Sequence, residues 1–185
     1  VKAKRVLVDV DQVLCDFATP AIQYVREQFG VDLELSRLRH WDMFLTLSAE
    51  QFRAFEEDFF VEGRCASLEL YPGVVEAVEA IRRHAEVVAV TSPPRYSRHW
   101  VHERTEWLSS RLGFDHNSII HTRAKHMIVG DMLVDDSPIN VIKWQQHHPQ
   151  GVGLLWALPN TEHLTECEGF RVRTWDQVLG RVKAL

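Results

Sequence analysis

Residues 5–17 read Arg5-Val-Leu-Val-Asp9-Val-Asp11-Gln-Val-Leu-Cys15-Asp16-Phe17. The β-branched run that opens this stretch has the pattern of a buried strand, and Asp9 and Asp11 stand at its end. Side chains two positions apart share one face within a strand, and just past its end both can converge on one point. Two carboxylates that close repel each other, and a divalent cation relieves the repulsion. Oxygen ligands without Cys or His favour magnesium. Taken alone, a strand-end turn with solvated acids accounts for the same residues.

Downstream, Glu86–Thr91 reads as a second strand, broken by Ser92-Pro93-Pro94. Ser118–His121 reads as a third, Met132–Val134 as a fourth ending in Asp135-Asp136, and Gly151–Ala157 as a fifth. Helices fall between them. Thr19-Pro20 is expected to open one, with Thr19 as cap and Gly30 as stop. Ser48 and Gln51 form a capping box. Tyr71-Pro72-Gly73 is a turn into a helix reaching about His84. Others run from about Ser97 to Leu112, from Ser137-Pro138 to before His148-Pro149, and from a Thr174 cap. Strands alternating with helices imply an α/β fold, a three-layer Rossmann-like parallel sheet with helices on both faces.

About 75 residues separate the first two strands, far more than a βαβ crossover needs. The surplus is expected to be a small helical cap, residues 17–72, rich in aromatics, set into an α/β core of residues 1–16 and 73–185. It leaves the sheet just after Asp9 and Asp11. Ligands of open α/β sheets bind beyond the carboxyl ends of the strands, so the insertion is placed like a lid.

The chain has 185 residues, 45% hydrophobic and 25% charged, with a net charge of -5. This excludes a disordered or fibrous chain and argues against a nucleic-acid polymer as partner, since no basic stripe offsets the acidic balance. Three cysteines, Cys15, Cys65 and Cys167, form no spaced pairs, which fits a reducing cytoplasm rather than a disulfide framework. No apolar run is long enough for a membrane span, and Val1-Lys2-Ala3-Lys4-Arg5 is not expected to open a signal peptide, which needs a longer apolar run there.

Asp135-Asp136 repeats the acidic strand end of Asp9 and Asp11; helix capping is the plainer account of it alone. Thr91-Ser92 closes the second strand, where hydroxyls and amides can hold phosphate oxygens. Lys125 offers a point charge to the same phosphate. Each is weak singly, a plain turn or a solvated lysine being commoner. Two acidic strand ends in one parallel sheet point to the same edge and strengthen each other.

As an ordered set, Asp-x-Asp, Thr-Ser, Lys and Asp-Asp resembles the haloacid dehalogenase superfamily over Arg5–Pro138. Asp9-Val-Asp-Gln-Val-Leu-Cys-Asp16-Phe17, Thr91-Ser92-Pro93 and Gly130-Asp131-x-x-x-Asp135-Asp136 resemble the 5'(3')-deoxyribonucleotidases within it. The resemblance implies Asp9 as nucleophile through an aspartyl-phosphate and Asp11 as general acid, then base. It implies Mg2+ on the Asp9 carboxylate, the Asp11 backbone carbonyl and Asp136. Asp135 would orient metal-bound water or Lys125, while Thr91, Ser92 and Lys125 hold the phosphoryl group. The second acid, Asp11, speaks against the superfamily's dehalogenases. Gln12 departs from the pattern, standing where these nucleotidases usually carry Gly.

The implied partner is a small phosphorylated metabolite, a nucleoside monophosphate. Phe17 matches by spacing a Phe that lies near the nucleobase in these nucleotidases, and Trp41 and Phe44 are lid candidates for the same contact, with lid core as the plainer account. Arg95, Tyr96 and Arg98 are weaker candidates in a solvated loop. His99/His102 and His147/His148 are expected on a helix surface or end rather than on a metal. Cys15 is expected to pack as a small hydrophobe beside the site. Two alternatives stay open: the same chemistry on a sugar phosphate or specialised-pathway intermediate, and a non-catalytic phosphate-binding or phospho-receiver module. A homodimer completing the lid is also open.

Overall fold

In the computed structural model, which describes residues 4–185, β1 is Arg5–Val8, β2 Glu86–Thr91, β3 Ile119–His121, β4 Met132–Asp135, β5 Val152–Trp156 and β6 Arg171–Val172. Val1-Lys2-Ala3, part of the N-terminal run read above, lie outside the described residues. All neighbours pair in parallel in the order β3-β2-β1-β4-β5-β6. The short β6 was not expected; two residues leave no periodicity to read. The helices are α1 Ala18–Phe29, α2 Ala49–Asp58, α3 Val74–Arg82, α4 Trp100–Leu112, α5 Pro138–His147 and α6 Trp175–Lys183. None is long and apolar enough to cross a membrane.

Strand alternation divides the core into two faces. Val6, Val8, Val87, Ala89, Met132 and Val134 pack on the side carrying residues of α3, α4 and α6. Leu7, Val88, Val90 and Leu133 pack against Trp144 of α5 on the other side. Gly130 sits where any side chain would collide with β1, since a Cβ there would lie 2.8 Å from Leu7 Cγ. Its neighbour Asp131 accepts the Arg5 N–H at 2.8 Å. Gly130 and Asp131 therefore seat β4 against β1 from below.

The segment between β1 and α3 has its own apolar cluster, including Ala21, Val25, Leu33, Met43, Phe55 and Phe59. Phe55 and Phe59 are fully buried, a contribution of about 2 kcal/mol each. Phe17 and Phe60 pack against this cluster and against the main core alike. The segment is less helical than its pattern suggested: beyond α1 and α2 it holds only the 3₁₀ turns Leu35–Arg37 and Met43–Thr46 and irregular chain. Its apolar residues bury against one another without helical spacing.

The Ser48–Gln51 and Thr174–Gln177 capping boxes are both formed. Thr19 is not a cap. Helix α1 begins one residue earlier, at Ala18, because Gln12 Oε1 accepts the N–H groups of Phe17 and Ala18 at 3.0 and 2.8 Å and Asp16 Oδ1 accepts that of Thr19 at 3.0 Å. Side chains from the preceding turn take the donors a local cap would have satisfied.

Candidate active site

The strand order reverses between β1 and β4, each of whose crossovers leads to the opposite edge. Ligands of such sheets bind at that crevice. Register brings the two acidic ends side by side: Val8 pairs with Val134, and the Asp9 N–H donates to the Val134 carbonyl at 2.9 Å. Asp9, Asp135 and Asp136 are buried, and one carboxylate oxygen from each lies within 4.8 Å of the other two.

Lys125, 2% exposed, lies between two of them, with Nζ 2.6 Å from Asp9 Oδ1 and 2.8 Å from Asp135 Oδ2. Burial alone would lower its pKa, but Asp135 and Asp9 raise it above the ordinary lysine value. Asp135 also accepts the Ser137 N–H at 2.9 Å and the Asn140 amide at 3.1 Å, so its lone pairs are taken inside the protein. Burial lifts its pKa to about 6 despite Lys125. Burial, then the charges of Asp9 and Asp135, push Asp136 well above the usual carboxylate range. Three buried carboxylates thus face one buried ammonium. The donors are oxygen only, and the Asp11 backbone carbonyl accepts no described backbone N–H. This set fits a hard divalent cation.

Beyond Asp9 the chain turns sharply. Leu14 and Cys15 donate to the Val10 carbonyl at 2.8 and 3.0 Å, and Gln12 donates to the Cys15 carbonyl at 2.8 Å. Gln12 adopts φ 63°, the left-handed region, which costs a non-glycine residue roughly 1–2 kcal/mol. Its side chain offsets that cost: Oε1 also accepts the Tyr71 hydroxyl at 3.0 Å, besides Phe17 and Ala18. One amide oxygen therefore ties together the two points where the 17–72 segment leaves and rejoins the sheet. The turn presents Asp11 to a cavity of about 360 Å³ that Asp9, Lys125 and Asp136 also line, a volume suited to a small molecule.

Ser92 lines that cavity. The Thr91 hydroxyl is buried and unpartnered among the described residues, a donor in search of an acceptor. Phe17, Trp41 and Phe44 all line the cavity. Phe44 packs 4.5 Å from Phe55, centroid to centroid, and Phe17 stacks on Phe60 at 6.1 Å, so both serve the apolar cluster as well. The Trp41 indole instead donates to Asp136 Oδ2 at 2.8 Å. Asn160, just after β5, holds the Trp41 and His40 carbonyls at 2.6 and 3.3 Å. Pro94 and not Arg95, Tyr96 or Arg98 reaches the wall of the cavity.

Arg104, Arg123, Asn140 and Asn160 escaped the sequence reading. Arg123 and Asn160 line the cavity, Asn140 supports Asp135, and Arg104 pairs with Asp11 at 2.5 Å. Only Arg104 had a signal: it sits between Trp100 and Trp107 on the apolar face of α4, where a charge needs a buried partner. Neither histidine pair belongs to a metal-ligating group among the described residues.

Comparison with known proteins agrees with this geometry. A family model described as "5' nucleotidase, deoxy (Pyrimidine), cytosolic type C protein" matches residues 3–184. The human cytosolic-type 5'(3')-deoxyribonucleotidase is 30% identical over 176 residues, covering 88% of this chain and 84% of that one. The mouse mitochondrial 5'(3')-deoxyribonucleotidase is 32% identical over 181 residues, with 88% and 77% covered. Among solved structures, a haloacid dehalogenase-like hydrolase from Streptococcus pneumoniae superposes with a TM-score of 0.62 at 12% identity, covering 97% and 98% of the two chains. A HAD-hydrolase from Bacillus subtilis, solved bound to magnesium, gives 0.58 at 13% identity, covering 98% and 99%; at these identities the likeness is one of fold. The chain belongs to the 5'(3')-deoxyribonucleotidase family and is a phosphatase with the fold of the haloacid dehalogenase-like hydrolases.

Proposed function

We propose that the protein is a Mg2+-dependent phosphomonoesterase that forms a phosphorylated Asp9 and releases phosphate from nucleoside monophosphates, with residues 17–72 as its lid. The observation that carries this reading is the meeting of Asp9, Asp11, Lys125 and Asp136 around one aromatic-walled cavity. The names of the deoxyribonucleotidase relatives support the substrate class. Cys15 and Cys65, buried as thiols, support a reducing compartment such as the cytoplasm.

In this reading the Asp9 carboxylate attacks phosphorus and the ester P–O bond breaks. Asp11 gives its proton to the leaving alcohol oxygen. A water molecule then gives a proton to Asp11 and attacks the same phosphorus. The bond to Asp9 breaks, phosphate leaves and the carboxylate is restored. Lys125, Thr91 and Ser92 hold the phosphoryl oxygens, and Asp135 keeps Lys125 in place. Asp9, Asp136 and the Asp11 carbonyl would hold Mg2+, which offsets the repulsion between a carboxylate and an incoming phosphate.

Phosphate release from 3'- and 5'-(deoxy)nucleotides and from sugar phosphates, each with Mg2+, tests this reading. The expected result is strong preference for a nucleotide set, abolished by Asp9→Asn. Activity confined to sugar phosphates would discard the nucleotide and keep the chemistry. Normal turnover by Asp9→Asn would refute the covalent route.

A further inference from the structure

Arg104 is 0% exposed. Its guanidinium lies against two indole rings, 4.8 Å from the Trp100 centroid and 5.3 Å from that of Trp107. Nη2 donates to Asp11 Oδ1 at 2.5 Å, Nη1 lies 3.4 Å from Cys15 Sγ, and Nε has no partner among the described residues. Burying a guanidinium is costly unless it is paired. Asp11 is the one carboxylate it pairs with among the described residues. It comes from α4, 93 positions away in sequence.

The effect on Asp11 is asymmetric. The described hydrogen bonds of its carboxylate, from Arg104 and from the Cys15 thiol at 3.5 Å, all fall on Oδ1. Oδ2 carries none of them, and Asp11 lines the cavity. Within the turn itself only the Cys15 thiol, at 3.5 Å, bonds the carboxylate among the described residues.

We infer that Arg104 is the positioning residue of the reaction: held between Trp100 and Trp107, it anchors Oδ1 of Asp11 so that Oδ2 is the atom that gives and takes the proton. This rests on the reading of Asp11 as general acid and base. Arg104 touches neither substrate nor phosphorus and acts only through Asp11.

Leaving-group dependence tests it. A nucleoside monophosphate expels a basic alkoxide and needs the proton from Asp11, whereas p-nitrophenyl phosphate expels a stable phenolate and does not. Values of kcat/KM report the step up to phosphorylation of Asp9. With Arg104→Met, kcat/KM for the nucleotide is expected to fall about 100-fold, within the ~10²–10⁴ range of general acid catalysis. For p-nitrophenyl phosphate it is expected to stay within about threefold. Arg104→Lys keeps the charge and loses the fork; it should fall about tenfold on the nucleotide alone, and it serves if the Met variant does not fold. Equal losses on both substrates, or none on either, would overturn the inference. Asp11→Asn measured alongside separates the two layers. If it shows no leaving-group dependence, the acid role of Asp11 fails and Arg104 with it. If Asp11→Asn shows the dependence and the Arg104 variants do not, only the Arg104 inference falls.

Discussion

The indole N–H of Trp41, in the inserted segment, donates to Oδ2 of Asp136, at the end of β4, across 2.8 Å. Ninety-five positions of chain separate them, so this bond exists only when the insertion is folded down on the sheet. Hydrogen bonds to charged groups contribute about 1.5–3 kcal/mol, and about 1.4 kcal/mol corresponds to tenfold in binding. Trp41→Phe keeps most of the ring and loses the donor. Steady-state kinetics should show KM for the nucleotide raised about tenfold and kcat within about threefold. An unchanged KM would mean that the bond does not help hold the lid closed.

Gln12 allows a test in which glycine and alanine reverse their usual order. Gln12→Gly relieves the positive φ but loses the three bonds to Oε1. At about 1 kcal/mol per bond, against roughly 1–2 kcal/mol of relieved strain, the net loss is about 1–2 kcal/mol. Gln12→Ala loses the bonds and keeps the strain. Urea unfolding should rank wild type above Gly and Gly above Ala. Alanine equal to wild type would show that the amide holds nothing together.

Lys125 is the buried cation among three buried carboxylates. Lys125→Met leaves Asp9 and Asp135 without their ammonium. Breaking a buried pair from one side costs about 3–5 kcal/mol, so the metal-free variant should unfold at markedly lower urea near neutral pH. Turnover should fall by about 10³-fold or more, as expected when preorganised charge opposite a transferring phosphoryl group is removed. Asp135→Asn, which leaves Lys125 bonded to Asp9, should cost less on both measures.

Magnesium should stabilise the protein more at pH 7.5 than at pH 5. Burial holds Asp135 up to about 6 and, with the charges of Asp9 and Asp135, pushes Asp136 well above the usual carboxylate range. An acid whose folded pKa is raised is most favourable to folding below its unfolded pKa, and that contribution is lost as pH rises through the folded value. The metal-free fold thus carries a penalty from Asp135 that grows from the ordinary carboxylate range up to about pH 6 and is full above it. A cation relieves it and must compete with protons below that pH. At 100 times its Kd a ligand adds about 2.7 kcal/mol. Thermal melts with and without Mg2+ should show a shift at pH 7.5 that shrinks sharply at pH 5. A pH-independent shift, or none, would count against the acidic cluster as the metal site.

Much of the molecule was legible in one dimension. Strand periodicity and acidic strand ends are local features, and Asp9, Asp11, Asp135 and Asp136 each advertise themselves by ending an apolar run. Because parallel strands must all present their carboxyl ends at one edge, reading the strands was enough to place those acids together. Caps built within four residues, as at Ser48 and Thr174, were legible for the same reason. Partners chosen across the fold were not. Thr19 is a local exception, looking like a cap until Gln12 and Asp16, three to six residues from the amides they accept, take up the donors of the first turn of α1. Residues 31–70 look helical because their apolar residues are numerous; a cluster of aromatics such as Phe44, Phe55 and Phe59 can bury itself around irregular chain.

The order of acids, hydroxyls and lysine along the sequence determined the sheet edge and the kind of chemistry, since both depend on which residues end which strands. Only the tertiary structure decided what each of those residues faces: that Lys125 pairs with Asp9 and Asp135, that Trp41 reaches Asp136, and that Arg104 is buried beneath Asp11. The reason is physical. Periodicity is set by backbone geometry within a few residues, whereas a buried charge takes whichever partner the packing of distant elements brings within about 3 Å.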